Sequence, residues 1–256
     1  MMDRIQISAV CGVGLKRKNN EDNLCLARCY LDEAQVDKTS VTPFEYCGEQ
    51  QIPFHVAVCD GMGGEDAGEL ASLTAARELS LLPPSPSDAD AEKCFERINT
   101  ILNKEAMLRD ARCIGSTVAM LCLSETSVTA CNIGDSRIYK IRGGQMSMLS
   151  HDHTEVQLYV DNGLLSVDAA RKHPMRHALN QYLGMPDALF SGSFRTETDM
   201  RPGDIFLVCS DGLTECVDDC TILSILENVG NAPELYNEAM KNGGNDNTTA
   251  IVLRVK

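Results

Sequence analysis

Short apolar runs of strand length, broken by glycine, aspartate and proline, set the rhythm of this chain. Ile5 to Val13 alternates as a strand, a polar loop follows, and Leu24 to Tyr30 reads as a second strand. Residues 32–53 are polar, carry Pro43 and Pro53, and read as an irregular excursion. Phe54 to Cys59 predicts a strand that stops at Asp60-Gly61-Met62-Gly63-Gly64, a turn whose glycines permit positive φ. The period then changes. A helix is predicted from about Glu65 to Leu82, favoured by Glu65, Asp66 and Glu69 near its start and ended by Pro83, Pro84 and Pro86. A second helix runs from about Asp88 to Arg109, with Phe95, Ile98, Leu102 and Ala106 along one face.

Strands return in close succession at Gly115 to Ser124, Ser127 to Ile133, Ser136 to Arg142 and Gln145 to Leu149, the last two joined by Gly143-Gly144 as a hairpin turn. Residues 151–190 read as helical or irregular and carry most of the histidines. Strands follow at Gly192 to Thr198 and Asp204 to Cys209, helices near 218–229 and 233–241, and a last strand at Thr248 to Val255. Runs of strands with helices grouped between them point to α+β, not to a doubly wound parallel sheet. No repeat or linker interrupts the 256 residues, and the expectation is one domain over 1–256.

Composition then excludes classes. No apolar run reaches the roughly eighteen residues of a membrane span, and Met1-Met2-Asp3-Arg4-Ile5 has no signal layout, so a cytoplasmic protein off the membrane is expected. A net charge of −14 repels a phosphate backbone and argues against nucleic acid as a partner. Twelve cysteines are scattered, many inside apolar runs, and read as reduced residues packing like small hydrophobes. The pairs Cys25/Cys29 and Cys216/Cys220 lack the spacing of a structural zinc site.

The informative feature is where acids fall relative to strands. Asp60, Asp135 and Asp211 each lie just past a predicted strand, Asp246 precedes one, and so do Glu21 and Asp22. One such acid is an ordinary turn or capping residue. Five such sites, three of them flanked by glycine, point to carboxylates gathered around a cation, and all-oxygen ligands favour magnesium or manganese. Two ions about 3.5–4 Å apart activate water and stabilise a transferring phosphoryl group. Arg17, four residues before Glu21, suits a guanidinium clamp on phosphate, though the run Lys16-Arg17-Lys18 reads equally as exposed charge.

With these residues on the page, the chain resembles the metal-dependent protein phosphatase family (type-2C Ser/Thr phosphatases) in its compact bacterial form. The matching segments are Arg17-Lys18-Asn19-Asn20-Glu21-Asp22-Asn23, Asp60-Gly61-Met62-Gly63-Gly64, Gly115-Ser116-Thr117, Gly134-Asp135-Ser136-Arg137, Ser210-Asp211-Gly212-Leu213 and Gly244-Asn245-Asp246-Asn247-Thr248. The resemblance implies two stacked antiparallel sheets flanked by helices on both faces, and hydrolysis of phosphoserine and phosphothreonine in proteins by a metal-bridging water or hydroxide. It implies Asp60 bridging two core Mn2+ or Mg2+ ions, with Glu21 and the Gly61 carbonyl completing one ion's protein ligands. Asp211 and Asp246 would hold the other ion, Asp135 with Asp211 a third, weaker one, and Asp22 would support the ligands. Arg17 would bind the substrate phosphate, and residues 151–190 match a variable flap that gates substrate. The implied partners are phosphoproteins made by a Ser/Thr kinase, in bacterial signalling, with a monomer expected.

Two departures stand out. Met62 occupies the position where eukaryotic relatives carry a histidine, leaving a metal-bound water as the expected general acid. Glu215 stands where many relatives have aspartate, and its longer side chain would reach a third ion differently or through water. His151, His153, His173 and His177 could alternatively ligate zinc. Cys11, with five residues between it and Arg17, mimics a cysteine-phosphatase loop, but it ends a strand and follows Val10 where a histidine is expected. Two other readings are a silent phosphoprotein-binding relative and a phosphatase for a small phosphate ester.

Overall fold

The computed structural model describes residues 4–32, 42–63, 67–125, 127–188, 194–228 and 230–256. The expectations for Gly64, Glu65, Asp66 and Gly192, and for 33–41 of the polar excursion, lie outside the described residues. In chain order the strands begin with β1 (Arg4–Gly12), β2 (Asp22–Leu26), β3 (Cys29–Tyr30), β4 (Phe44–Gln51) and β5 (Phe54–Gly63). Helices α1 (Ala67–Ser80) and α2 (Asp88–Leu108) follow, then β6 (Ile114–Ser116), β7 (Val118–Leu123), β8 (Ser127–Ile133), β9 (Arg137–Arg142) and β10 (Gln145–Met148). After α3 (Glu155–Asp161) and α4 (Val167–Ala170) come β11 (Phe194–Asp199) and β12 (Ile205–Cys209). The chain ends with α5 (Asp211–Cys216), α6 (Asp219–Glu227), α7 (Ala232–Lys241) and β13 (Thr248–Val255).

Two antiparallel sheets stack face to face. One has the order β10-β9-β12-β13-β1-β4, the other β11-β8-β7-β5-β2-β3 with β6 on the end of β5. The central strands are apolar on both sides because both sides are covered. In β1, Ile5, Ile7, Ala9 and Cys11 point between the sheets, while Val10 packs with Leu235 and Tyr236 of α7. In β5, Phe54, Val56 and Val58 fill the inter-sheet core, while Ala57 and Cys59 lie under the α1–α2 layer. Helix α1 buries Ala67, Ala71, Ala75 and Ala76 against β5 and β2, small side chains that let helix and sheet approach closely. Helix α2 begins at a capping box between Ser87 and Asp90 and buries Cys94, Phe95, Ile98 and Leu102 at helical spacing. The architecture is the α+β sandwich with helices on both outer faces that the sequence predicts.

The sheets are also tied at their edge. The buried ammonium of Lys140 on β9 donates to the Asp199 carbonyl at 2.6 Å and to Thr198 Oγ1 at 2.9 Å, both on β11 of the other sheet. A lysine buried this deeply needs such acceptors, since an unpaired charge in the interior is costly.

Five expectations are corrected. The one strand expected at Leu24 to Tyr30 is a hairpin of two, β2 and β3, with Cys25 opposite Tyr30 and Leu26 opposite Cys29. The polar excursion contains β4, an exposed edge strand paired with β1. Strand β5 does not stop at Asp60 but runs on to Gly63, because β6 pairs with Gly61 to Gly63. The single strand expected at Gly115 to Ser124 is two, β6 and β7, parted at Thr117. A short helix, α5, starts at Asp211 where none is predicted. The Gly143-Gly144 turn is present, with φ of 57° and 76°.

Phe95 lies in the layer between α2 and the β5 sheet and is fully buried, whereas Leu81 is 67% exposed. Phe95→Ala should therefore lower unfolding stability in urea by about 3–5 kcal/mol, and Leu81→Ala should stay within about 0.5 kcal/mol of the unsubstituted protein. Equal midpoints for the two variants would contradict this core.

Candidate metal centre

One half of the site comes from the β5 sheet. Strands β2 and β5 pair with Asp22 directly opposite Asp60, and the Glu21 carbonyl accepts the Gly61 N–H at 2.9 Å. The glycines here answer to room rather than backbone freedom, since neither Gly61 nor Gly68 has positive φ. A Cβ on Gly61 would lie 1.9 Å from the Gly68 carbonyl oxygen, and a Cβ on Gly68 would lie 2.5 Å from Glu21 Oε1. The first turn of α1 thus presses against the Glu21 carboxylate. Thr117 Oγ1 accepts the Asp60 N–H at 3.0 Å and pairs with Ser136 Oγ at 2.7 Å, linking Asp60 to the loop that carries Asp135.

The other half comes from the β12–β13 sheet. Asp211 opens α5 just past β12, and Asp246 stands before β13. Gly212 lets these segments meet, because a Cβ there would lie 2.0 Å from the Asn247 carbonyl oxygen. Asn247 joins the halves: its Oδ1 accepts the Glu21 N–H at 2.8 Å while its Nδ2 donates to the Asn19 and Val13 carbonyls at 2.8 and 3.0 Å. Asp22 does the same from below. Its Oδ2 accepts from Ser210 Oγ and Thr249 Oγ1, each at 2.7 Å, so one buried carboxylate on β2 binds both strands of the opposite sheet.

Electrostatics sets the character of the cluster. Burial pushes the Asp60 carboxyl well above its ordinary range, and Asp22, Asp211, Asp135 and Asp246 push it further. Asp135 is raised by burial and then by Asp211 and Asp152. Glu21 and Asp246 are raised mainly by burial, with Arg17 working against the rise. Asp22 is raised to about 7, by burial first, with its two hydroxyl donors opposing and Asp211 and Asp246 adding. Arg17 is the counter-charge: its Nη2 donates to Asp246 Oδ2 at 2.6 Å and its Nη1 stands 3.6 Å from Glu21 Oε2.

These residues fit hard divalent ions. All ligand atoms are oxygens, Asp22 Oδ1 is buried without a partner, and the neighbouring acids make the charged form of Asp60 costly. Among the described residues, Glu21, Asp60, Asp211 and Asp246 do not close into a group with ligand atoms within 4.8 Å of one another.

The structure therefore brings together Arg17, Glu21, Asp22, Asp60, Gly61, Asp135, Asp211 and Asp246, all named from sequence. It adds Asn247, Ser210, Thr249, Thr117 and Ser136, whose roles sequence reasoning missed. Each is a small polar residue inside or beside a segment that carries one of the acids, and only that neighbourhood, not its own type, marks it in the sequence. The four histidines of 151–190 do not form a set. His151 pairs with Asp161 at 2.9 Å, His153 Nδ1 accepts the Gly134 N–H at 3.1 Å, and His173 Nδ1 accepts the Met175 N–H at 3.2 Å. His177 instead reaches Glu215, Nδ1 to Oε1 at 2.9 Å. Cys11 is no nucleophile, since burial and Asp22 push its thiol up to about 12 and its sulfur accepts from Asn20 and Thr249.

This geometry can be set beside known proteins. A family profile described as protein phosphatase 2C matches residues 37–240. The chain is 30% identical over 250 residues to the serine/threonine protein phosphatase PstP of Mycobacterium tuberculosis, covering 94% of this chain but 43% of that protein's length. A crystal structure of the M. tuberculosis phosphatase PstP/Ppp superposes with a TM-score of 0.81 at 29% identity, covering 99% of each chain. The PstP catalytic domain in complex with two manganese ions superposes with a TM-score of 0.78 at 28% identity, covering 98% of this chain and 99% of that one. On the profile match and this identity, the chain belongs to the protein phosphatase 2C family.

Proposed function

We propose that this chain is a metal-dependent protein phosphatase that hydrolyses phosphoserine and phosphothreonine in proteins. The observation that carries the reading is the pairing of Asp22 with Asp60 across β2 and β5, with Asp211 and Asp246 brought alongside by Asn247 and Arg17 above them. Glu21, Asp60 and the Gly61 carbonyl would hold one Mn2+ or Mg2+ ion, Asp60, Asp211 and Asp246 a second, and Asp135 with Asp211 a third, weaker one. Such ions, when bound, supply Lewis acidity at phosphorus and lower the pKa of water.

The chain's own residues do the rest. Arg17 lies over the acids at a half-exposed position, and with cations below it its guanidinium is released to grip the substrate phosphate in two-pronged fashion. Asp22 Oδ1, buried and without a partner, orients water beside the acids while Oδ2 stays fixed by Ser210 and Thr249. Met62 offers no acid, so the leaving alkoxide takes its proton from solvent. Residues 151–190 act as the flap of a single catalytic domain over 1–256. The segment's start is pinned through Asn132, His153 and the Arg137–Asp152 pair, and Leu183 bridges to Ser116. The same reading makes the chain a monomer of the cytoplasm that opposes a Ser/Thr kinase in bacterial signalling. The name of the bacterial relative above, a serine/threonine protein phosphatase, supports the part of this reading that sets the chain against a Ser/Thr kinase.

With manganese, phosphate should be released from phosphothreonine and phosphoserine peptides and only weakly from phosphotyrosine peptides, and Asp60→Asn should lower the rate by at least about 100-fold. Metal binding without release from any peptide would turn the reading to a silent phosphoprotein binder, or to a phosphatase for small phosphate esters. Arg17→Ala should raise KM for the phosphopeptide by roughly tenfold with manganese stoichiometry unchanged, and an unaltered KM would remove Arg17 from the phosphate. Asp22 gives a pH signature. Its pKa is about 7 in the folded metal-free protein, whereas in the unfolded chain a carboxyl titrates near about 4. The folded state therefore holds the extra proton between these values, so this contribution to stability is complete at acid pH and lost as pH rises through about 7. Thermal midpoints in chelator should fall from about pH 5 to about pH 8, and manganese should flatten the slope; a midpoint that climbs over that range would show the cluster is not self-repelling.

A further inference from the structure

Beside the clustered acids lies a second group that shares Asp211 with them and adds His177, to which the reading above gives no role. Asp211 and Glu215 stand four residues apart on α5, so they share one face of the helix. His177, from the turns after α4, reaches over that face: its Nδ1 lies 2.9 Å from Glu215 Oε1 and 3.7 Å from Asp211 Oδ2. Among the described residues these three form a group whose ligand atoms all fall within 4.8 Å of one another. Asp135, the acid that the family resemblance pairs with Asp211, is not part of it.

We infer that His177, Asp211 and Glu215 form a divalent-cation site of their own, suited to a zinc-class transition ion rather than to magnesium. One imidazole nitrogen and two carboxylate oxygens match the donors such ions prefer, at bond lengths of about 2.0–2.2 Å. With the imidazole neutral the set carries two negative charges, which a divalent ion balances. The side chains of His177 and Glu215 are free to close by the small distance required, since His177 is exposed and Glu215 only partly covered. Asp211 would offer this site its Oδ2, the oxygen that stands 3.7 Å from His177 Nδ1. An ion here would fasten the middle of the 151–190 segment to α5. Without it, that span meets the α5–α6 region through the His177 contacts and a 3.9 Å pair between Arg171 and Asp219.

The inference rests on the metal-binding reading of the neighbouring acids, and one titration separates the two. Zinc is added to the whole protein in excess magnesium, and bound zinc is counted by native mass spectrometry for the unsubstituted protein, His177→Ala, Glu215→Gln and Asp135→Asn. The expected result is one zinc fewer in His177→Ala and in Glu215→Gln, and no loss in Asp135→Asn. Trypsin adds a readout of the segment itself, because Arg171, Lys172 and Arg176 are exposed. Zinc should slow cleavage there in the unsubstituted protein and leave the rate in His177→Ala unchanged. Equal zinc counts in the unsubstituted protein and His177→Ala overturn the site while leaving the phosphatase reading intact. No bound metal in any of the four proteins removes both.

Discussion

Carboxylates that are buried side by side repel one another, and at the end of this sandwich Asp22, Asp60, Asp135, Asp211 and Asp246 all feel that repulsion. Left alone, Asp22, Asp60, Asp135 and Asp246 hold protons more tightly than ordinary carboxylates, which is what their raised pKa values mean in physical terms. The chain answers with the guanidinium of Arg17 beside Glu21 and Asp246, with that of Arg137 near Asp135, and with hydroxyl and amide donors aimed at single oxygens. That is too little positive charge for so many acids, and the shortfall defines what the site is for. A structure that gathers acids against their own repulsion stores a preference for cations, and the surrounding fold must hold them in place until cations arrive.

The holding is done by residues that belong to both sheets at once. Asp22 sits on β2 yet is bound by Ser210 and Thr249 of the opposite sheet, and Asn247 from before β13 grips the Glu21 backbone on the way into β2. Stacked sheets pack mainly by apolar contact, which fixes their separation well and their lateral register less sharply. These polar ties fix the register at the one end where it matters. They also explain why Asp22, although opposite Asp60, is poorly placed as a metal ligand: one of its oxygens is already committed to the fold.

Much of this was legible in the sequence. The final strand and β8 fall where the apolar runs put them, because a strand covered on both faces is read from a continuous buried run rather than from an alternation. Strand β4 was not legible. Its Glu45, Glu49, Gln50 and Gln51 suit an exposed sheet edge, and an edge strand carries no core pattern to read. Helix α5 is six residues long, too short to show a period, and it exists because Gly212 lets it lie against Asn247. The acids themselves stood out by position, but their supports did not. Serine, threonine and asparagine are common in turns, and nothing local tells a turn residue from one that binds a carboxylate across a sheet interface.

The reading of the Asp60-Gly61-Met62-Gly63 segment shows where local chemistry misleads. Glycine after aspartate suggests a turn with positive φ, and that is the ordinary meaning of the pair. Here the strand continues through it, with β6 as partner, and the glycine is needed because the Gly68 carbonyl would occupy the space of a Cβ. Gly68 in turn is needed because the Glu21 carboxylate lies against it. The two glycines are therefore one device: they bring the start of α1, the end of β5 and the Glu21 side chain closer than any side chain would permit. Close approach of backbone to carboxylate is what a small hard cation requires of its surroundings, so the glycines and the acids answer to the same constraint. That shared cause, rather than the turn-forming habit of glycine, accounts for their standing together in the sequence.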